Sequence, residues 1–170
     1  MPKKTYKYRI YPTKKQRRAM GVVLDGCRWL YNHLLEERKV SWEERSEPCN
    51  YLQQKRTIPE LKETRPTLKS VHSQVLQNVA VRIDLAFKAF FRRVKQGEDP
   101  GYPRFRGKFR YDSFTYPQWS NSCKIEGERI YLPKIGHVKI ILHRPFQGTP
   151  KTCTVRRTRT GKWFVTISCE

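Results

Sequence analysis

Residues Thr5 to Tyr11 alternate, with Tyr6, Tyr8 and Ile10 on one side and Lys7 and Arg9 on the other. A period of two marks a strand with one buried face, and Pro12 ends it. No neighbour in sequence can pair with this strand, because the chain up to Gly101 reads as helix and loop. An unpaired strand leaves backbone donors and acceptors unsatisfied. It must therefore pair with strands that begin after residue 110, and everything between is an insertion.

Thr13 stands three residues before Gln16, the spacing of a capping box, and a helix is expected to start there. Its apolar positions recur at helical spacing: Met20, Val23, Leu24, Cys27, Leu30, Tyr31, Leu34 and Leu35. Residues Glu36 to Arg45 are largely polar. Pro48, Pro59 and Pro66 predict short helical pieces and loops between Ser46 and Ser70. A second long helix is expected from about Ser70 to Gln96, with the stripe Val71, Val75, Val79, Ile83, Ala86, Phe87, Phe90 and Val94, until Gly97 and Pro100 stop it.

Beyond that point the pattern changes. Tyr111 to Pro117, Lys124 to Leu132, His137 to His143 and Lys151 to Glu170 are short, aromatic or β-branched, and separated by Gly or Pro. Thr160-Gly161 divides the last stretch into a hairpin. The expected class is α+β: a small antiparallel β-barrel from residues 1–12 and 102–170, with a helical domain, 13–101, inserted after the first strand.

Lys and Arg number 36 against 15 Asp and Glu, a formal charge of +21. Solubility needs a net charge of only roughly 2–8. An excess this large lowers its self-repulsion by gathering anions, and nucleic acid is the commonest cellular polyanion. No apolar run approaches the ~20 residues of a membrane span, and the N-terminus has no secretory stretch. A cytoplasmic protein without a membrane partner is expected. The five cysteines are odd in number and never form a Cys-x-x-Cys pair. They read as small buried apolar groups, neither a disulfide framework nor a zinc site.

No residue set has the spacing of a catalytic centre. A Gly-rich phosphate loop, a His-x-x-x-His pair and Gly-x-Ser-x-Gly are all missing from the sequence. Asp84 lies mid-helix beside Arg82 and is expected as a solvated surface carboxylate. The four His are scattered, and no metal or cofactor is assigned.

Binding residues are easier to find. Arg104, Arg106, Lys108 and Arg110 alternate with Phe105, Gly107, Phe109 and Tyr111. Cations that hold phosphate alternating with rings that stack on bases suit unpaired nucleic acid. Phe105 and Phe109 are equally readable as core residues of a strand whose other face is wet. A second basic set, Arg156, Arg157, Arg159 and Lys162, surrounds the last hairpin turn, where edge-strand protection is the competing role.

Five segments carry a family resemblance: Tyr8-Arg9-Ile10-Tyr11-Pro12-Thr13, Cys27-Arg28-Trp29-Leu30-Tyr31-Asn32, Pro103-Arg104-Phe105-Arg106-Gly107-Lys108, Ile130-Tyr131-Leu132-Pro133-Lys134-Ile135-Gly136 and Gly161-Lys162-Trp163-Phe164. In this order they resemble the N-terminal half of TnpB (OrfB), the insertion-sequence-encoded RNA-guided DNA nucleases. The resemblance implies a wedge-like barrel with an inserted recognition domain, a region also labelled helix-turn-helix. It implies two partners, a guide RNA and double-stranded DNA with a short target-adjacent motif. It places Gln77, Tyr51, Thr115 and Tyr116 at the DNA motif, with Ser73 where the family has a Lys. RNA or phosphate contact is expected at Lys7, Arg9, Arg104, Phe105, Arg106, Lys108, Arg110, Arg156, Arg157 and Arg159. In the family a nuclease domain follows, and this chain ends at Glu170 before it. The expectation is therefore a binding half in the nucleoid of a prokaryotic cell, without cleavage. The alternatives are a subunit of a split nuclease with a separate catalytic chain, and an unrelated basic RNA-binding protein.

Overall fold

The N-terminal strand pairs with late strands on both of its edges. In the computed structural model, which describes residues 2–170, β1 (Lys4–Tyr11) is antiparallel to a strand at 136–141 on one side and to the C-terminal strand on the other. The later strands are β2 (Ser113–Tyr116), β3 (Lys124–Glu126), β4 (Arg129–Leu132), β5 (Gly136–Ile141), β6 (Pro150–Arg157) and β7 (Trp163–Cys169). Their order in the sheet is β2-β6-β7-β1-β5-β4-β3, every pair antiparallel. The sheet curls into a half-barrel around Tyr8, Ile10, Phe114, Tyr116, Ile130, Val138, Val155 and Val165, all buried. The Tyr116 hydroxyl donates to the Pro133 carbonyl at 2.8 Å, joining the β2 edge to the β4–β5 turn. Thr158 and Lys162 close the β6–β7 hairpin with a 2.7 Å bond, and Gly161 takes the left-handed φ of 83° that the turn requires.

The helical segment lies between β1 and β2. Thr13 and Gln16 form the capping box that starts α1 (Lys14–Arg45). The Gln16 amide also donates to the His137 carbonyl at 2.6 Å, fixing the start of α1 against β5. All the apolar positions anticipated in this helix are buried. The proline-rich stretch differs from expectation. It forms one 14-residue helix, α2 (Tyr51–Thr64), which runs through Pro59, and then a 3-10 turn at Pro66–Ser70. An interior proline removes one helical bond and costs about 3 kcal/mol. Against that stand an Asn50–Gln53 capping box and the burial of Ile58 and Gln54.

In α3 (Ser73–Lys95) the buried face comprises Val75, Leu76, Val79, Ala80, Ile83 and Phe87. It differs from the anticipated stripe: Leu76 and Ala80 are buried in addition, where α3 packs against α1, α2 and β2, while Ala86 and Phe90 are only half-buried. Val94 is exposed at the far end. Asp84 is not the solvated carboxylate expected. It is 19% exposed and lies 3.1 Å from the Arg38 guanidinium of α1 and 2.9 Å from Lys88. Arg38, itself buried, also donates to Gln54 of α2 at 2.7 Å, so one arginine joins all three helices. Cys27, Cys123, Cys153 and Cys169 are buried and Cys49 half-buried. Burial pushes the Cys27 thiol up to about 12.

Candidate nucleic-acid interface

The alternating stretch 102–110 is not a strand. Pro103 cannot join a ladder, and β2 begins only at Ser113. The chain instead runs as a loop. Arg110 donates its N–H to the Gly107 carbonyl at 3.0 Å, and Phe109 takes a left-handed φ of 72°. Phe105 and Phe109 are 51% and 74% exposed, which removes the core reading of both rings. Tyr102 stacks on Phe90 of α3 with centroids 4.9 Å apart, and the Lys39 ammonium lies over both Tyr102 and Phe105.

The loop and the β6–β7 turn meet. Arg106, Lys108, Phe109 and Arg110 from one, with Arg157, Thr158, Arg159 and Gly161 from the other, line a single open cleft of about 910 Å³. The Arg157 guanidinium lies over both the Phe109 and Trp163 rings, 5.9 and 5.7 Å from their centroids. Arg106 and Arg110 also line two adjoining clefts along α3. One of these adds Arg93 and Arg104, the other Arg82 and Arg156. Among the described residues, Asp112 is the one carboxylate lining any of the three, and Arg156 lies 3.7 Å from it. A concave surface with this excess of guanidinium groups demands anions, and planar forks suit phosphate oxygens.

Lys7 and Arg9 lie elsewhere, on the outer face of β1. The Lys7 ammonium is 4.4 Å from the Phe164 ring centroid, and Arg9 covers Tyr11 and Phe164 at 4.6 and 5.5 Å. Register connects them to the cleft, because Phe164 stands opposite Arg9 on one side and Arg156 on the other. Among the described residues, the buried Arg9 Nε has no acceptor.

The four residues assigned to DNA lie on three elements: Tyr51 on α2, Gln77 on α3, and Thr115 and Tyr116 side by side on β2. Tyr116 is 1% exposed and its hydroxyl is committed to Pro133. Thr115 accepts from Arg82 of α3 at 2.9 Å and shares a bond with Thr154. Gln74 and Arg82 bond to Gln118 and to the β2 segment respectively, so Asn78, midway between them at helical spacing, shares the side of α3 that faces β2. Gln77, half-buried, is turned about 100° away, on the line of Asp84. Tyr51 is the first residue of α2, with Lys55 over its ring at 5.9 Å.

Residues 1–47 match the family model for the helix-turn-helix domain of OrfB (IS605) proteins. Over 97% of its length the chain is 29% identical to the protein described as "Putative RNA-guided DNA endonuclease InsQ" of Escherichia coli K12, covering 40% of that protein. It is also 29% identical, over 99% of its length, to a Streptomyces pristinaespiralis protein described as an RNA-guided DNA endonuclease in the same terms, covering 42% of it. This chain matches the N-terminal region of TnpB/OrfB-type proteins. It spans about two fifths of the length of these curated relatives.

The part matched by the family model is β1 followed by the single long helix α1. Of the five sequence segments that carry the resemblance, the first pairs with the fifth, Ile10 opposite Trp163, and the second meets the third. Asn32, from the second, bonds both to the N–H and to the carbonyl of Arg106, from the third, at 2.8 and 2.9 Å. Arg106 also lies over the Tyr31 ring at 5.7 Å. Asn32, Arg82 and Arg93 were missed as site residues by reading the sequence. Arg93 stands in the last turn of α3, where a cation complementing the helix C-terminus is ordinary. Arg82 is half-buried under Tyr111, whose hydroxyl burial pushes well up although Arg82 pulls it down. Asn32 left one signal, a poor helix former in mid-helix. No helix among the described residues is long and apolar enough to cross a membrane, and no group of three or more His, Cys, Asp or Glu side chains is placed to hold a metal ion.

Proposed function

We propose that this chain binds RNA along the arginine-rich cleft and reads a short DNA motif beside the target of that RNA, as the nucleic-acid-binding part of an RNA-guided, transposon-associated DNA endonuclease. Residues 1–12 and 102–170 form the barrel unit in this reading, and 13–101 the helical recognition unit. One observation carries it. Two basic segments about fifty residues apart converge on a single cleft with exposed Phe109 at its wall, and Asp112 is the one carboxylate there. Arginine forks take the phosphates, and the exposed rings offer stacking to unpaired bases. The description of both relatives as RNA-guided DNA endonucleases supports the choice of an RNA-guided role. Gln77 is the proposed base reader on α3, because its amide both donates and accepts, as the adenine edge in the major groove requires. We assign these residues binding and no step of cleavage.

The test is to sequence the RNA that co-purifies with the chain from its own host. One RNA enriched far above its cellular abundance, with a constant segment adjoining a variable one, is expected. Ribosomal and transfer RNA recovered in proportion to abundance would identify a general basic RNA-binding protein and overturn the guided reading.

A further inference from the structure

Residues 101–109 carry the Arg104, Arg106 and Lys108 side chains, and almost nothing holds their backbone. Among the described residues, the backbone of this stretch makes one hydrogen bond within the loop, from Arg110 N–H to the Gly107 carbonyl. Its hydrogen bonds to the rest of the protein come from a single side chain. The Asn32 amide accepts from the Arg106 N–H at 2.8 Å and donates to the Arg106 carbonyl at 2.9 Å, across 74 positions of sequence. Both partners are solvent-accessible, so the bonds add little to global stability. Their geometric effect is larger. Asparagine alone of the residues of its size presents a donor and an acceptor on one planar group, and so satisfies both halves of a peptide edge.

We propose that Asn32 is a positioning residue for the cleft: it fixes the loop on α1 so that its cations stand ready for phosphate before any ligand arrives. The inference rests on the RNA-binding reading of the cleft. Ordering one free backbone residue costs about 1–2 kcal/mol. A loop released from its anchor must meet that cost on binding, at the expense of affinity. The aromatic stack of Tyr102 on Phe90 anchors only the loop's beginning, and the Asp112 carbonyl, bonded to Arg157 N–H, only its end. Asn32 holds the middle.

The experiment compares the chain with Asn32→Ala and Asn32→Asp. It uses trypsin cleavage after Arg104, Arg106 and Lys108, thermal melting, and binding of oligouridine across a salt series. The aspartate keeps the acceptor and loses the donor, so cleavage is expected to rise from Asn to Asp to Ala while the melting temperature holds. Oligouridine affinity of Asn32→Ala should fall about tenfold, the equivalent of 1.4 kcal/mol. Its salt slope should hold, because every cation is still present. Melting that drops in parallel with faster cleavage makes Asn32 an ordinary stabilising residue and overturns the proposal. An affinity loss with unchanged cleavage also overturns it, because Asn32 would then touch the RNA itself. A native chain that binds oligouridine without salt dependence defeats the reading of the cleft instead, and cleavage still reports on the anchor.

Discussion

Arg38 and Asp84 meet at 3.1 Å between α1 and α3, with Arg38 7% and Asp84 19% exposed. Their pairing explains how a helical unit with so many like charges closes. Replacing Asp84 by Asn leaves a buried guanidinium with Gln54 as its main partner, and removing one member of a buried pair costs about 3–5 kcal/mol. Urea unfolding measures the loss, and a change within about 0.5 kcal/mol, the range of ordinary surface substitutions, would contradict the burial of the pair.

The same pair sets a pH dependence. Burial pushes the Asp84 carboxyl up, but the bonds from Lys88 and Arg38 and their charges outweigh it and hold the carboxyl below its ordinary value of 3.8. A folded-state value lower than the unfolded one contributes stability above the unfolded value, and that stability is lost as pH falls through the folded one. Melting temperatures of the native chain and Asp84→Asn should therefore differ at neutral pH and converge below about pH 4. A constant difference down to strong acid would contradict the assignment.

Phe109 separates binding from folding. Its ring is 74% exposed on a residue with a φ of 72°, a conformation that glycine adopts without strain. Phe109→Gly should leave the melting temperature equal or higher, while single-stranded RNA binding weakens by about 1–3 kcal/mol. A marked drop in melting with unchanged binding would return the ring to a structural role.

Tyr116 should behave in the opposite way. Its hydroxyl satisfies the buried Pro133 carbonyl at 2.8 Å, and Tyr116→Phe leaves that acceptor empty at a cost of about 1–3 kcal/mol. Discrimination between DNA sequences should not change. Lost discrimination at native stability would place the hydroxyl at the DNA.

These two aromatic residues mark what the sequence can and cannot disclose. The period-two pattern around Tyr8 and the Thr13–Gln16 spacing gave β1, its late partners and the start of α1, because each is a local rule that packing here reinforces. Alternation at 102–110 left two readings of Phe105 and Phe109 open, because a strand also needs a neighbour to pair with, and local sequence does not show whether one exists. The Asp84 environment depends on Arg38, 46 positions away, and the Asn32 anchor on Arg106, 74 positions away. The cations of the cleft were legible as residues. Their convergence depended on the register that brings Arg157 beside Asp112.

The base-reading role proposed for Gln77 has its own comparison. In a selection from randomised duplexes, Gln77→Ala should lose about 1–3 kcal/mol on the preferred motif and little on scrambled DNA, because phosphate contacts carry no sequence. Asn78, on the side of α3 that faces β2, is the comparator. Equal losses on both duplexes would remove Gln77 from sequence reading, and a selective loss at Asn78 alone would move the reader to that side of the helix.

The cleft shared by the loop and the β6–β7 turn is proposed to hold phosphates. A salt titration of RNA binding tests it most directly, because the log–log slope is about −0.7 for each phosphate contact with a single strand. Six contacts give a slope near −4, and replacing Lys108 and Arg159 together by Gln should flatten it by about 1.4. An unchanged slope in that double variant, or a slope near zero in the native chain, would contradict the account.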